Sequence, residues 1–118
     1  MKVAANVNSF RDWVTKHKKA MVTITQFVYV KAGKEETFQQ FESLVLPLIS
    51  QYNGKLLLRL RTSQEQLIEG ELEAPYEVHL VSFESEADLA AYMGDQTREQ
   101  YLYLKEESIL KVMTVQQS

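Results

Sequence analysis

The spacing of apolar residues changes period several times along this chain, and each change marks an element. Residues 9–19 place Phe10, Trp13, Val14 and His17 at offsets of three, four and seven. That spacing predicts a short helix with Ser9 as N-cap and Asp12 three residues on. So short a helix is unstable alone and is expected to dock. Val22 to Val30 is rich in β-branched and aromatic residues and predicts a first strand. From Lys34 to Tyr52 the steps become three and four, through Phe38, Phe41, Leu44, Val45, Leu48, Ile49 and Tyr52, which predicts an amphipathic helix. Pro47 predicts a bend within it, and Asn53-Gly54 a left-handed stop.

Lys55 to Arg61 predicts the second strand. Residues 62–75 are polar and acidic and predict an extended excursion, read as a hairpin arm through Gln66 to Ile68. Tyr76 to Phe83 predicts the third strand. Ser85 with Asp88 caps a short helix carrying Leu89, Tyr92 and Met93, which Gly94 closes. Asp95 or Thr97 starts a further helical stretch to Glu107, and Ile109 to Gln116 predicts the last strand. The order is β-α-β-β-α-β. This is the α+β ferredoxin-like arrangement, a four-stranded antiparallel sheet with helices on one face. The division expected is an N-terminal helical extension over residues 1–21 and a ferredoxin-like domain over 22–118.

The strands also predict an assembly. A sheet covered on one side only should alternate apolar with polar along each strand. Here both faces carry large apolar groups. Val22, Ile24, Gln26, Val28 and Val30 oppose Thr23, Thr25, Phe27 and Tyr29. Leu56, Leu58 and Leu60 oppose Leu57, Arg59 and Arg61; Tyr76, Val78 and Leu80 oppose Glu77, His79, Val81 and Phe83. In the last strand Ile109, Lys111, Met113 and Val115 oppose Leu110, Val112, Thr114 and Gln116. An apolar face of several hundred Å² is seldom left to water. Two sheets packed face to face about a twofold axis would cover it, so a homodimer is expected. The alternative is a monomer whose N-terminal helix lies over that face.

Composition narrows the chemistry. The chain has 118 residues and no cysteine, which excludes disulfides, thiolate nucleophiles and cysteine-bound metals. Residues 1–20 carry a net +4 and the rest −7. A body that acidic argues against nucleic acid as the main partner. No apolar run is long enough to span a bilayer. Asn6, Asn8, Arg11 and Asp12 interrupt any secretory apolar segment, so the expected location is the cytoplasm.

Several segments carry a likeness. Pro47-Leu48-Ile49 stands before Tyr52-Asn53-Gly54-Lys55; then come the strand with Arg59 and Arg61, Gln66 to Gly70, and Val78 to Leu89. On these the chain resembles the dimeric α+β barrel superfamily, and within it a bacterial family of unknown function. The resemblance covers about Val22 to Gln116 and rests on turns and strands, with no catalytic signature. It implies a ferredoxin-like homodimer. The wider superfamily includes cofactorless monooxygenases acting on aromatic polyketides, lactone isomerases and haem-dependent members. Fold transfers at this level and activity does not.

Four residues are candidates for a site. His79, in the third strand beside Glu77, is the candidate for catalysis, as a base, and for ligand binding; its structural alternative is a hydrogen-bonded interface histidine. Arg59 and Arg61 point the same way and would clamp a carboxylate or phosphate, or else pair with Glu69, Glu77 or a partner's acids. Tyr52 would line a cleft between sheet and helices, where tyrosines more often simply pack. His17 reads as a surface or docking residue. Two histidines without H-x-x-x-H or E-x-x-H spacing make no metal site, and no cofactor motif occurs. His79 would be the sole axial ligand available to haem, a poor basis for that branch. The reading is a small homodimer that binds an organic ligand, anionic if the two arginines receive it. The alternative is a cofactorless monooxygenase- or isomerase-like enzyme.

Overall fold

The computed structural model describes residues 21–117; the helix expected over residues 9–19, with His17, lies outside them. Strand β1 spans Val22–Val30, and helix α1 spans Glu35–Val45, running on as a 3₁₀ segment over Leu46–Tyr52. Strand β2 is Gly54–Arg61 and β3 is Glu77–Phe83, joined through a single 3₁₀ turn at Gln64–Gln66. Helices α2 (Glu86–Met93), α3 (Gln96–Gln100) and α4 (Leu102–Ser108) lead into β4, Ile109–Gln117. The sheet order is β2-β3-β1-β4, every pair antiparallel. The chain therefore has the ferredoxin-like α+β fold.

Local chemistry sets the element ends. Glu35 and Glu36 in the first turn of α1 oppose the positive end of the helix dipole. At Pro47 the ring removes a donor, and the helix tightens from α to 3₁₀ there. Asn53 closes the segment in the left-handed region, at φ 56°. The next residue must be glycine. A Cβ on Gly54 would stand 2.6 Å from both Ile49 Cγ2 and Phe83 Cε1, so the chain turns into β2 in direct contact with the core. Ser85 accepts the Asp88 amide at 3.1 Å and starts α2, and Asp95 accepts the Arg98 amide at 2.8 Å and starts α3.

Val22, Ile24, Ile49, Val81, Phe83 and Tyr92 form one core cluster; Phe41, Val45 and Leu104 form another. Burying each such side chain stabilises by roughly 1.5–3 kcal/mol. The register puts Val22, Ile24, Gln26 and Val28 opposite Phe83, Val81, His79 and Glu77 on the helix-covered face. Two bulges correct the expected faces. The pairing skips Leu57, so Leu56 lies opposite Val81 on the covered face while Leu58 lies opposite Leu80 on the other. In β4 it skips Leu110, and Ile109 and Lys111 likewise fall on different faces. Each bulge adds a residue that an even alternation cannot anticipate.

Residues 62–75 form no hairpin. They make an irregular arm pinned at its base, where Thr62 N–H donates to the Tyr76 carbonyl and Tyr29 Oη donates to the Glu73 carbonyl at 2.9 Å. Ser63 and Gln66 cap each other across the 3₁₀ turn, and Gln64 accepts the Ala74 amide at 3.0 Å. With four polar anchors of its own, the arm has no need of strand pairing. It holds Leu72 exposed and Ile68 98% exposed. With Phe27, Tyr29, Val78 and Met113 it walls an apolar groove of about 550 Å³ on the open face of the sheet.

Candidate functional site

The site lies between the covered face of the sheet and the helices. Strand period turns Glu77, His79, Val81 and Phe83 toward the helices. Glu77 and His79 are therefore buried in the centre of the molecule, each 2% exposed. A carboxylate in that position needs partners, and the register supplies them: Arg61 lies opposite Glu77 and Arg59 opposite His79. Arg59 Nε donates to Glu77 Oε1 at 2.8 Å, Arg61 Nη2 to Oε2 at 2.8 Å, and Gln39 Nε2 to Oε2 at 2.8 Å. His79 Nε2 lies 2.8 Å from Oε1. Burial pushes the Glu77 carboxyl up, but the hydrogen bonds from Arg59, His79, Gln39 and Arg61 outweigh it and bring it down to about 2.

On the other side of His79 stands a second carboxylate in the opposite condition. Glu42 sits on α1 between Phe41 and Val45 and is 6% exposed. Burial, against the pull of Arg59 and with the push of Glu77, raises it to about 7. Its Oε2 lies 3.8 Å from His79 Nδ1, beyond hydrogen-bond reach. Burial also lowers His79, against the hydrogen bond to Glu77, so the ring is neutral near pH 7. In that form the Nε2 proton goes to the Glu77 carboxylate and the Nδ1 lone pair faces Glu42.

Glu42 and His79 line a cavity of about 220 Å³. Its walls are mostly apolar, from Ile24 and Val81 on the sheet to Phe41, Ile49, Leu89 and Tyr92 on the helices. Two cations reach it from the C-terminal helices, Arg98 on α3 and Lys105 on α4. Arg98 is 8% exposed; its Nη1 donates to the Met93 carbonyl at 3.3 Å and its guanidinium carbon lies 5.2 Å from the centre of the Tyr92 ring. Its buried Nε has no hydrogen-bond partner. Burial and then Arg98 hold Lys105 below the usual ammonium range, with Glu42 and Glu106 pulling the other way.

Of the four residues picked out by sequence, three come together and one stands apart. Arg59, Arg61 and His79 meet on Glu77, so both guanidinium groups are engaged by a protein carboxylate. Tyr52 instead donates to Asp95 Oδ2, the acid that also accepts the Arg98 amide, and that bond raises the Tyr52 hydroxyl and lowers the Asp95 carboxyl. Sequence reasoning missed Glu42, Arg98 and Lys105. A signal for each existed. Glu42 falls inside the apolar stripe of α1, four residues after Phe38 and three before Val45, and Arg98 and Lys105 flank Tyr101 at offsets of three and four. Among the described residues no group of three or more His, Asp or Glu is arranged to hold a metal, and no helix is long and apolar enough to cross a membrane.

No family model and no curated protein matches the chain. Solved structures do. A protein of unknown function from Rhodopseudomonas palustris superposes with a TM-score of 0.71 at 11% identity, over 93% of this chain and 90% of that one. A dabb family protein with a ferredoxin-like fold from Mesorhizobium loti gives 0.65 at 13%, over 85% and 97%. A dimeric protein of unknown function and ferredoxin-like fold from Bacteroides fragilis gives 0.63 at 11%, over 86% and 99%. The likeness shows the fold, a ferredoxin-like α+β domain. At these identities it carries no activity across.

Proposed function

We propose that this chain is a cytoplasmic homodimer that binds a small organic molecule between its sheet and its helices. The observation that carries the reading is the cavity of about 220 Å³ with Glu42, His79, Arg98 and Lys105 on apolar walls. An apolar pocket with a few convergent polar groups is the usual form of a small-molecule site. This one lies below the roughly 300–1,000 Å³ of sites for larger ligands, so its occupant is small. The dimer reading rests on the open face, where Phe27, Leu58, Leu60, Val78, Leu80, Met113 and Val115 stand with no helix above them among the described residues. Leu58, Leu60 and Val115 are 43%, 46% and 59% exposed in one chain. A self-complementary apolar face favours a twofold contact, and the dimeric neighbour from Bacteroides fragilis agrees with it.

Native mass spectrometry of the full chain, followed by the denatured spectrum, tests both halves. The expected result is a dimer whose excess mass disappears on denaturation. Leu80→Arg, at the centre of the open face, is expected to give monomers; a variant that stays dimeric would move the interface elsewhere. A second reading, a cofactorless isomerase-like enzyme, is favoured by one arrangement. A carboxyl that titrates near 7 facing a neutral imidazole backed by a carboxylate can exchange protons with a bound carbon acid.

A further inference from the structure

Charge is unevenly balanced in the interior, and the imbalance falls inside the cavity. Arg59 and Arg61 are both hydrogen-bonded to Glu77, which is outside the cavity lining. Arg98 and Lys105 face the cavity with one carboxyl, Glu42, that is only half ionised near pH 7. Asp95 is committed to the Tyr52 hydroxyl and the Arg98 amide, and Glu106, which also acts on Lys105, is exposed and does not line the cavity. A buried guanidinium nitrogen without a partner loses its hydration with nothing in return. Two cations that hold each other up in energy, as Arg98 and Lys105 do, gain most from an anion placed between them.

We propose that the cavity receives a small carboxylic acid, its carboxylate on the guanidinium of Arg98 and within the field of Lys105, its apolar body against Ile24, Val81 and Phe41. The inference rests on the ligand-binding reading above and names the class of ligand. A planar carboxylate suits the guanidinium fork, which accepts it side-on in two parallel bonds. With Nη1 held by the Met93 carbonyl and Nε vacant, the fork is oriented before the ligand arrives. The predominantly apolar wall favours a hydrocarbon body over a sugar or nucleotide, whose hydroxyls would be buried unpaired.

The test uses two acids and their neutral counterparts, hexanoate with 1-hexanol and benzoate with benzyl alcohol, titrated into the full-length protein and followed by amide NMR shifts. One or both acids are expected to shift Glu42, Val81, Tyr92 and Arg98 with saturating curves, and each alcohol to bind at least tenfold more weakly. Arg98→Met should weaken the acid at least tenfold with the amide spectrum otherwise retained. Lys105→Met, at a half-buried position, should weaken it less and serves if the arginine variant does not fold. Alcohols that bind in the cavity as tightly as the acids would overturn the carboxylate assignment and leave the ligand site standing. Acids that bind undiminished in both variants would overturn it too. If none of the four probes reaches the cavity residues, the assignment and the ligand-binding reading fall together.

Discussion

Two buried carboxylates flank one imidazole, and the protein treats them in opposite ways. Glu77 is surrounded by donors: two arginines, a glutamine and the histidine. It is ionised and structural. Glu42 has the same burial and no hydrogen bond that neutralises it, so it sits near the point of half-ionisation. The difference lies in position. Glu77 is on β3 beside β2, whose long arginine side chains reach it from partly exposed positions. Glu42 is in the middle of α1, over an apolar wall, and the cation that acts on it most, Arg59, is engaged by Glu77. One region is closed by mutual satisfaction; the other keeps unspent charge. That contrast separates what holds the fold from what is free to act on a ligand.

The sharpest way to break the contrast is to neutralise each acid in turn. Glu77→Gln removes the charge on which two arginines converge and is expected to lower stability by about 3 kcal/mol at pH 7, toward the range of about 3–5 kcal/mol for breaking buried pairs. Glu42→Gln is expected to stabilise at pH 8, where the native side chain must be ionised in an apolar setting, by about 2 kcal/mol. Urea unfolding of both variants at pH 7 and 8 reads this directly. Equal losses in the two would mean that the acids play the same role.

A pH series sharpens it next. The Glu77 carboxyl is depressed to about 2 in the fold, so its contribution is present above the ordinary range near 4.5 and lost as pH falls toward 2. The Glu42 carboxyl is raised to about 7, so its contribution is full below 4.5 and lost as pH rises through 7. The His79 ring is lowered, so its contribution is present at neutral pH and lost as pH falls below about 6.5. Thermal unfolding should therefore peak near pH 5 and decline toward pH 8. In Glu42→Gln the decline should vanish or reverse, because only the His79 contribution remains in that window. An unchanged decline would assign it to another group.

The smallest effect is expected at Tyr52. Its bond to Asp95 is partly exposed and touches neither Glu42 nor Glu77, so Tyr52→Phe should cost about 1 kcal/mol or less in urea unfolding. A loss as large as that expected of Glu77→Gln would make this bond part of what holds the fold.

Much of this architecture was legible from the order of residues alone. The β-α-β-β-α-β order follows from changes of hydrophobic period, and the ends of several elements follow from Asn53-Gly54, Ser85 with Asp88, and Asp95. These are local interactions, decided within a few residues of chain. The convergence of Arg59, Arg61 and Glu77 was half visible, since strand alternation gives the facing of each residue but not its partner. Three things needed the tertiary structure. The bulges at Leu57 and Leu110 reassign faces, because an extra residue is accommodated by the neighbouring strand and leaves no mark on its own sequence. The arm over 62–75 holds by side-chain anchors to β1 and to itself rather than by pairing. The cavity exists because Glu42 meets Arg98 and Lys105, more than fifty residues further along the chain, where α1, α3 and α4 close over one sheet face. Charge and burial act through space at distances of a few ångströms, and only the packed chain sets those distances.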